Sequence, residues 1–249
     1  MVPVYSWIGA KQTLQPREMY CYRGLVNSLV LLSGGLDSAV LVASEAQHAR
    51  VHPVYVRVGL SWEPAEQRML NRLLSSAAFR NDLADLQVID FNMRDVYPST
   101  HWAIRGTPPA YDTPDKDVYL AGRNLVLLTK AGVVAATRKI GRIALGPLAG
   151  NPFPDATPEF FAAMGKALAL GLDHPIEIVT PLISMHKEDV IRMGERLGVP
   201  FAFTLSCMNP DDSAVPLHCG QCSKCRERRD AFAAAGVRDP TTYAQPSPR

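Results

Sequence analysis

Residues 33–38, Ser-Gly-Gly-Leu-Asp-Ser, form the first segment of the chain whose residue types could do chemistry. Gly34 and Gly35 lack a Cβ atom, so the backbone can adopt a positive φ and approach an anion closely. A helix that begins after them would present unpaired N–H groups and the positive end of its dipole to a phosphate. Ser33 and Ser38 add hydroxyl donors. The segment therefore predicts a phosphate or pyrophosphate site, with a glycine turn capped by a polar side chain as the structural alternative.

Four of the five cysteines form a second candidate site toward the C-terminal end. Short Cys-x2-Cys steps turn two sulfurs toward one ion, and four thiolates complete the tetrahedral coordination of a structural zinc. In a reducing compartment such a cluster is more often a metal site than a disulfide. The alternatives are a disulfide pair, an iron–sulfur cluster and a redox Cys-x-x-Cys. His218, which precedes Cys219, could replace one sulfur but is expected to be a neighbour of the site and not a ligand. The predicted zinc ligands are Cys207, Cys219, Cys222 and Cys225, and Cys21 is expected to be a buried thiol.

The elements that must position these residues alternate between strand and helix for about 200 residues, which is typical of parallel strands with helices on both faces. The fold class is therefore predicted to be α/β, with a doubly wound, mostly parallel sheet. Ligands of such sheets bind beyond the carboxyl ends of the strands, here after Leu32, Leu145 and Val179. The predicted strands are 25–32, 51–58, 86–90, 143–145 and 176–179, and the predicted helices are 37–49, 63–79, 122–139, 159–170, 186–197 and 223–235.

Four parts of the chain are predicted. An extension at 1–24 precedes the α/β domain at 25–200, and a small zinc-binding subdomain at 201–238 precedes a proline-containing tail at 239–249, which is expected to be disordered. Within the α/β domain, residues 91–120 form a long irregular connection with four prolines. Such loops are usually functional or mobile. The basic residues of the last helix are expected to form a solvated face, namely Lys224, Arg226, Arg228 and Arg229.

Composition excludes several classes of protein. The 249 residues include 26 basic and 24 acidic side chains, and the net charge of +2 gives no long-range attraction to nucleic acid. No apolar run reaches the ~18 residues that a membrane span needs. The first residues lack the pattern of a secretory signal, so a cytoplasmic protein without a membrane partner is expected.

Residues 33–38 contain neither Gly-Lys-Ser/Thr nor Gly-x-Gly-x-x-Gly, so they match neither common nucleotide-binding motif. After a first parallel strand, the segment resembles the PP-loop of ATP pyrophosphatases, which have an adenine-nucleotide alpha hydrolase-like fold. From about residue 29 to 235, the chain resembles the 7-cyano-7-deazaguanine (preQ0) synthases of queuosine biosynthesis. Besides the loop and the cysteines, the matching stretches are Leu-Ala-Gly-Arg-Asn at 120–124, Phe-Pro-Asp at 153–155 with Glu159-Phe160, and Thr-Pro-Leu at 180–182 with Lys187, Thr204 and Ser206-Cys207.

This resemblance implies an ATP-dependent carbon–nitrogen ligase. Family members adenylate 7-carboxy-7-deazaguanine, displace AMP with ammonia to give an amide, and use a second ATP to form the nitrile. The implied cofactors are a structural zinc and magnesium with ATP, and the implied state is a homodimer. Asp37, Ser38 and Lys187 would be catalytic, and Asp155 would bind the substrate. The nucleotide would be held by Leu32, Ser33, Gly34, Gly35, Leu36, Asp37, Ser38, Arg123 and Asn124.

The segments expected to face the acceptor depart from the family pattern. Gly-Leu-Ser-Trp-Glu at 59–63 replaces a Gly-Gln-Arg-His-like stretch, Ala149 and Pro152 replace an acidic residue and a glycine, and Ala-Thr at 156–157 replaces Cys-Arg. The acceptor, the ammonia source and the choice among amide, nitrile and conjugate products therefore stay open. Two alternatives are a PP-loop enzyme that thiolates tRNA and a non-catalytic, zinc-containing nucleotide-binding module.

Overall fold

The structure, a computed structural model, describes residues 26–79 and 83–248, so the predicted extension and Cys21 lie outside the described residues. Its centre is a five-stranded sheet in which every neighbouring pair of strands is parallel. The spatial order is β3-β2-β1-β4-β5. The strands are β1 (Val26–Leu31), β2 (Ala49–Arg57), β3 (Gln87–Asp90), β4 (Arg142–Ala144) and β5 (Glu177–Val179). The predicted α/β class with a parallel sheet is confirmed.

Seven α-helices lie in the described residues: α1 (Leu36–Glu45), α2 (Glu63–Leu74), α3 (Trp102–Arg105), α4 (Arg123–Thr137), α5 (Pro158–Leu172), α6 (Lys187–Arg196) and α7 (Ser223–Ala235). Helix α2 is shorter than predicted, and a separate 3-10 turn follows it at Ala77–Phe79. Residues 91–120 are less irregular than predicted, because they contain α3 and a 3-10 helix at Asp115–Val118. None of the described helices has both the length and the apolar character needed to cross a bilayer.

Helices cover both faces of the sheet because successive side chains of a buried strand point to opposite faces. On β1, Leu29 and Leu31 belong to the core cluster that includes α4, whereas Val30 belongs to the cluster with α1, α6 and α7. The close approach of α4 and α5 requires a glycine, since a Cβ atom on Gly132 would lie 2.8 Å from Leu168.

The central strand β1 creates the crevice in which a ligand can bind. It pairs with β2 on one side and with β4 on the other. From β1 the chain continues to β2 and β3 on one side of the sheet, and it then crosses back to β4 on the other side of β1. The connections that follow the adjacent strands β1 and β4 therefore run in opposite directions. This switch point opens at the carboxyl ends of the strands.

Helix α7 packs against α6 and carries a buried cation. Arg228 was predicted to lie on a solvated helix face, but it is only 1% exposed. Its guanidinium donates to the hydroxyls of Thr204 and Ser206, to the carbonyl of Phe201 and to the hydroxyl of Thr241. The prediction for Arg228 was wrong because these neutral acceptors and the carboxylate of Asp239, 3.8 Å from its Nε, compensate for the burial of its charge, and helical periodicity does not reveal such tertiary partners.

The tail is also ordered where the structure describes it, at residues 239–248. Tyr243 forms an isolated parallel bridge with His218, and the Ala244 N–H donates to the His218 carbonyl at 2.8 Å. The Arg229 guanidinium lies 3.8 Å from the centroid of the Tyr243 ring. The expected disorder is therefore wrong for these residues, because the prolines lie in an extended segment that other parts of the chain bind.

Candidate active site

The loop between β1 and α1 has the geometry of an anion site. Gly34 adopts a φ of +79°, which favours glycine. The Ser38 hydroxyl donates to the Gly35 carbonyl at 3.0 Å and lies 3.2 Å from the Ser33 hydroxyl. Among the described residues no side chain caps the start of α1, so its first N–H groups are available to an anion.

Lys187, the first residue of α6, brings a cation to this loop. Its Nζ lies 3.2 Å from Asp37 Oδ2 and also contacts Glu227 Oε1. Burial acts to lower the pKa of Lys187, but the two carboxylates outweigh burial and raise it. Burial likewise acts to raise the pKa of Glu227, yet Lys187 and Lys224 hold it at about 2. Lys224 also pairs with Asp115, at 3.2 Å, so alternating charges connect the loop to the 91–120 segment.

One carboxylate oxygen of Asp37 has no partner among the described residues. This oxygen is Oδ1, and it is buried. Burial raises the pKa of Asp37, and the ammonium of Lys187 opposes that rise. An unpartnered carboxylate oxygen beside a phosphate site suits a hard divalent cation such as Mg²⁺.

The four predicted cysteine ligands converge, with all Sγ atoms within 4.8 Å of one another. The Sγ–Sγ distances include 3.5 Å for Cys222–Cys225, 3.9 Å for Cys219–Cys225 and 4.0 Å for Cys207–Cys222. Tetrahedral zinc with its usual Zn–S bonds separates the sulfurs by about 3.8 Å. The N–H groups of Asn209 and Cys219 point at Cys207 Sγ at 3.3 and 3.2 Å, as donors to a thiolate would. The cluster could hold one metal ion.

The segment that contains Cys207 connects this cluster to residues 33–38, the predicted phosphate loop. The Leu205 N–H donates to the Gly34 carbonyl at 2.9 Å, and the Ser206 N–H donates to His218 Nε2 at 3.1 Å. Burial, together with the charge of Arg228, lowers the pKa of His218 to about 3, so its imidazole is neutral. His218 therefore supports the segment and lies outside the four-sulfur group.

A cavity of ≈ 350 Å³ opens beside the loop. All the residues predicted to hold the nucleotide line it except Gly34, and Lys187 and Asp155 line it as well. A Cβ atom on Gly34 would contact α2, at 3.5 Å from Leu70 and 3.6 Å from the Glu66 carbonyl. The structure thus brings together residues that are widely separated in the sequence, while their individual roles stay predictions.

Arg123, Asn124 and Asp155 meet at the start of α4. The Asn124 N–H donates to Asp155 Oδ2 at 3.1 Å, and Asn124 Nδ2 donates to the Asp155 carbonyl at 2.9 Å. Asp155 therefore stabilises the helix start, and burial raises its pKa. The buried Nε of Arg123 has no hydrogen-bond partner in the described part of the chain.

Two buried glutamates of α2 line the cavity and were not predicted. Glu63 accepts the N–H groups of Val58, at 2.7 Å, and Gly59, at 3.1 Å, and so fixes the turn after β2. Glu66 Oε2 accepts the Tyr55 hydroxyl at 2.7 Å. The sequence offered one signal, acidic residues in a first helical turn, but such residues usually act only on the helix dipole.

Aromatic side chains complete the wall. The rings of Trp62 and Trp102 stack with centroids 5.7 Å apart and an interplanar angle of 13°. The rings of Tyr119 and Phe153 lie 5.1 Å apart. All four line the cavity. The wall that these rings form suits a planar heterocycle.

Two known proteins with similar sequences have the same name. The 7-cyano-7-deazaguanine synthase of Methanopyrus kandleri is 32% identical over 236 residues, covering 89% of this chain and 100% of that protein. The protein of the same name from Xanthomonas campestris pv. campestris is 34% identical over 229 residues, covering 87% and 97%.

Among solved structures, the U34-tRNA thiolase of Methanococcus maripaludis with its [4Fe-4S] cluster aligns with a TM-score of 0.44 and 15% identity, covering 71% of this chain and 58% of that one. A similarity at this level carries no functional argument. The sequence comparison does, because the model of the queuosine biosynthesis protein QueC family matches residues 27–236. The chain belongs to the QueC family.

Proposed function

We propose that the protein is an ATP-dependent carbon–nitrogen ligase of the 7-cyano-7-deazaguanine synthase type, with a carboxylated deazapurine as acceptor. The observation that carries this proposal is one cavity, in a chain of the QueC family, that is lined both by a loop with the geometry of an anion site and by an aromatic wall. The loop suits the phosphates of ATP, and the wall suits the planar base.

The proposed reaction follows from the weak electrophilicity of a carboxylate. Transfer of AMP to the carboxylate replaces a poor oxide leaving group by AMP, and ammonia then displaces AMP to give the amide. A second ATP would activate the amide oxygen on the way to the nitrile. Backbone N–H groups of residues 34–38 would hold the pyrophosphate, and Lys187 would neutralise charge that develops on the phosphates.

A magnesium ion with ATP fits the same site, because Asp37 Oδ1 is an unpartnered oxygen ligand beside the loop. The ion would supply charge neutralisation. Lys187 would hold the other oxygen, Asp37 Oδ2, in an ion pair.

For the cysteine cluster we propose structural zinc. The short Sγ–Sγ distances fit four sulfurs on one tetrahedral ion. A four-iron cluster places each thiolate on a different iron and so needs more widely spaced sulfurs. The homodimer and the cytoplasmic location stay predictions, as does the absence of a nucleic-acid partner.

The test combines the purified protein with ATP, Mg²⁺, ammonium and 7-carboxy-7-deazaguanine. We expect acid-dependent AMP formation, and by mass spectrometry a product lighter than the acid. Reactions that lack the acid or ammonium serve as controls. AMP formation with other carboxylated deazapurines but not with this one would refute the named acceptor, and ATP binding without turnover across the panel would refute the ligase.

A further inference from the structure

Four acidic side chains line the cavity, and three of them are committed to other groups of the protein. Asp37 pairs with Lys187, Glu63 binds two backbone N–H groups, and Asp155 binds the start of α4. The fourth, Glu66, forms no ion pair and binds no backbone N–H among the described residues, and its Oε2 accepts the neutral hydroxyl of Tyr55 at 2.7 Å. Of the four carboxyls, Glu66 is thus the one held by neither a cation nor a backbone N–H, so it is the one that can exchange a proton with a bound molecule.

The surroundings of Glu66 suit such an exchange near neutral pH. Burial raises its pKa to about 7, and the like charge of Glu63 adds to the rise. The guanidinium of Arg123, the hydroxyl of Tyr55 and the indole of Trp62 act in the opposite direction. General bases work best when their pKa lies near the operating pH.

Glu66 also lines the same cavity as Ser33, Asp37 and Lys187. Its backbone carbonyl is 3.6 Å from the position of a Cβ on Gly34, so this part of α2 lies directly against the phosphate loop. Trp62, one helical turn earlier, belongs to the aromatic wall. Glu66 therefore lines the cavity that contains both the proposed phosphate site and the proposed base site.

We propose that Glu66 is the general base that takes the proton from the attacking nitrogen, an inference that rests on the proposed ligase function. The nitrogen of ammonia forms a bond to the carbonyl carbon, and the bond from that carbon to the AMP oxygen breaks. AMP leaves with the electron pair. One N–H proton passes to the Glu66 carboxylate, which leaves a neutral amide and a protonated carboxyl that solvent later deprotonates.

The test separates the two half-reactions in Glu66→Gln. Exchange of labelled pyrophosphate into ATP with the carboxylated acid reports adenylation and correct folding, and it should match the wild-type rate. Ammonium-dependent amide formation should fall by ~100-fold or more, because general base catalysis contributes about that much. If wild-type protein shows no exchange, the ligase proposal fails. If the variant forms amide at the wild-type rate, or loses both half-reactions equally, the role of Glu66 fails.

A pH profile at constant free ammonia distinguishes a base from a structural residue. Wild-type amide formation should rise with pH through about 7, since the carboxyl must be deprotonated. This limb should vanish in Glu66→Gln. In Tyr55→Phe it should move to higher pH, because that variant removes a hydrogen bond that favours the charged form. An unchanged limb in Glu66→Gln would overturn the proposal.

Discussion

The two sides of the cavity are built in different ways. The phosphate side uses contiguous residues and backbone atoms at the junction of β1 and α1, supported by the segment at Leu205. The side proposed for the acceptor uses side chains from the turn after β2, from residues 91–120 and from residues 153–155. The proposed phosphate site thus depends on local backbone conformation, whereas the proposed acceptor site depends on the tertiary assembly of separate segments.

The largest expected effect comes from removal of a metal ligand, which should damage both sides because Leu205 joins the cysteine segment to Gly34. Cys222→Ser should lose bound zinc and about 4 kcal/mol or more of unfolding free energy. Metal analysis and urea denaturation measure both. Ser223→Ala is the matched control, since its buried hydroxyl has no partner in the described chain and its removal should retain metal and stability. Normal stability in metal-free Cys222→Ser would contradict the structural role.

A second variant should impair only the proposed phosphate side of the cavity. Asp37→Asn removes the partner of Lys187 and the proposed magnesium ligand, so pyrophosphate exchange should fall by ~100-fold or more. Because burial raises the pKa of Asp37, the folded protein disfavours its charged form, and the neutral isostere should leave the unfolding free energy unchanged or higher. Exchange kinetics and urea denaturation test the two statements separately, and a large loss of stability would contradict the second.

Two glycines with similar backbone conformations test whether the loop conformation determines ATP binding. Gly34 and Gly198 have similar φ values of +79° and +69°, so alanine at either should cost about 1–2 kcal/mol of unfolding free energy. Only Gly34→Ala should also raise the KM for ATP, because Gly34 lies in the phosphate loop. Equal KM values for ATP in the two variants would show that the loop conformation is not what binds the nucleotide.

The smallest expected effect lies on the acceptor side. Trp102→Ala removes the ring that stacks on Trp62 and should raise the KM of the acceptor about three- to tenfold, while the KM of ATP stays unchanged. Phe91→Ala is the control, since Phe91 is an exposed aromatic residue of the same segment that does not line the cavity. Steady-state kinetics with each substrate varied in turn measures the difference. A similar rise for both substrates would contradict the division into two sides.

The sequence predicts features that depend on neighbours in the chain. The strand–helix alternation gave the parallel sheet, and the spacing of Cys219, Cys222 and Cys225 indicated sulfurs that the structure brings together. Glu66, the proposed general base, could not be identified from the sequence, because its raised pKa depends on burial and its hydrogen bond comes from Tyr55 on β2. The stacking of Trp62 on Trp102 likewise depends on how residues 91–120 fold back.

The buried guanidinium of Arg228 determines where the chain can be shortened. The QueC family model ends its match at residue 236, but the Nε of Arg228 donates to Thr241 at 2.6 Å and lies 3.8 Å from a carboxylate oxygen of Asp239. A fragment that ends at residue 236 would remove two groups that bind the almost fully buried guanidinium of Arg228. We expect it to lose several times more unfolding free energy than a fragment that lacks only an exposed tail. The last residues described are thus part of the folding unit, although they lie beyond the region by which its family is identified.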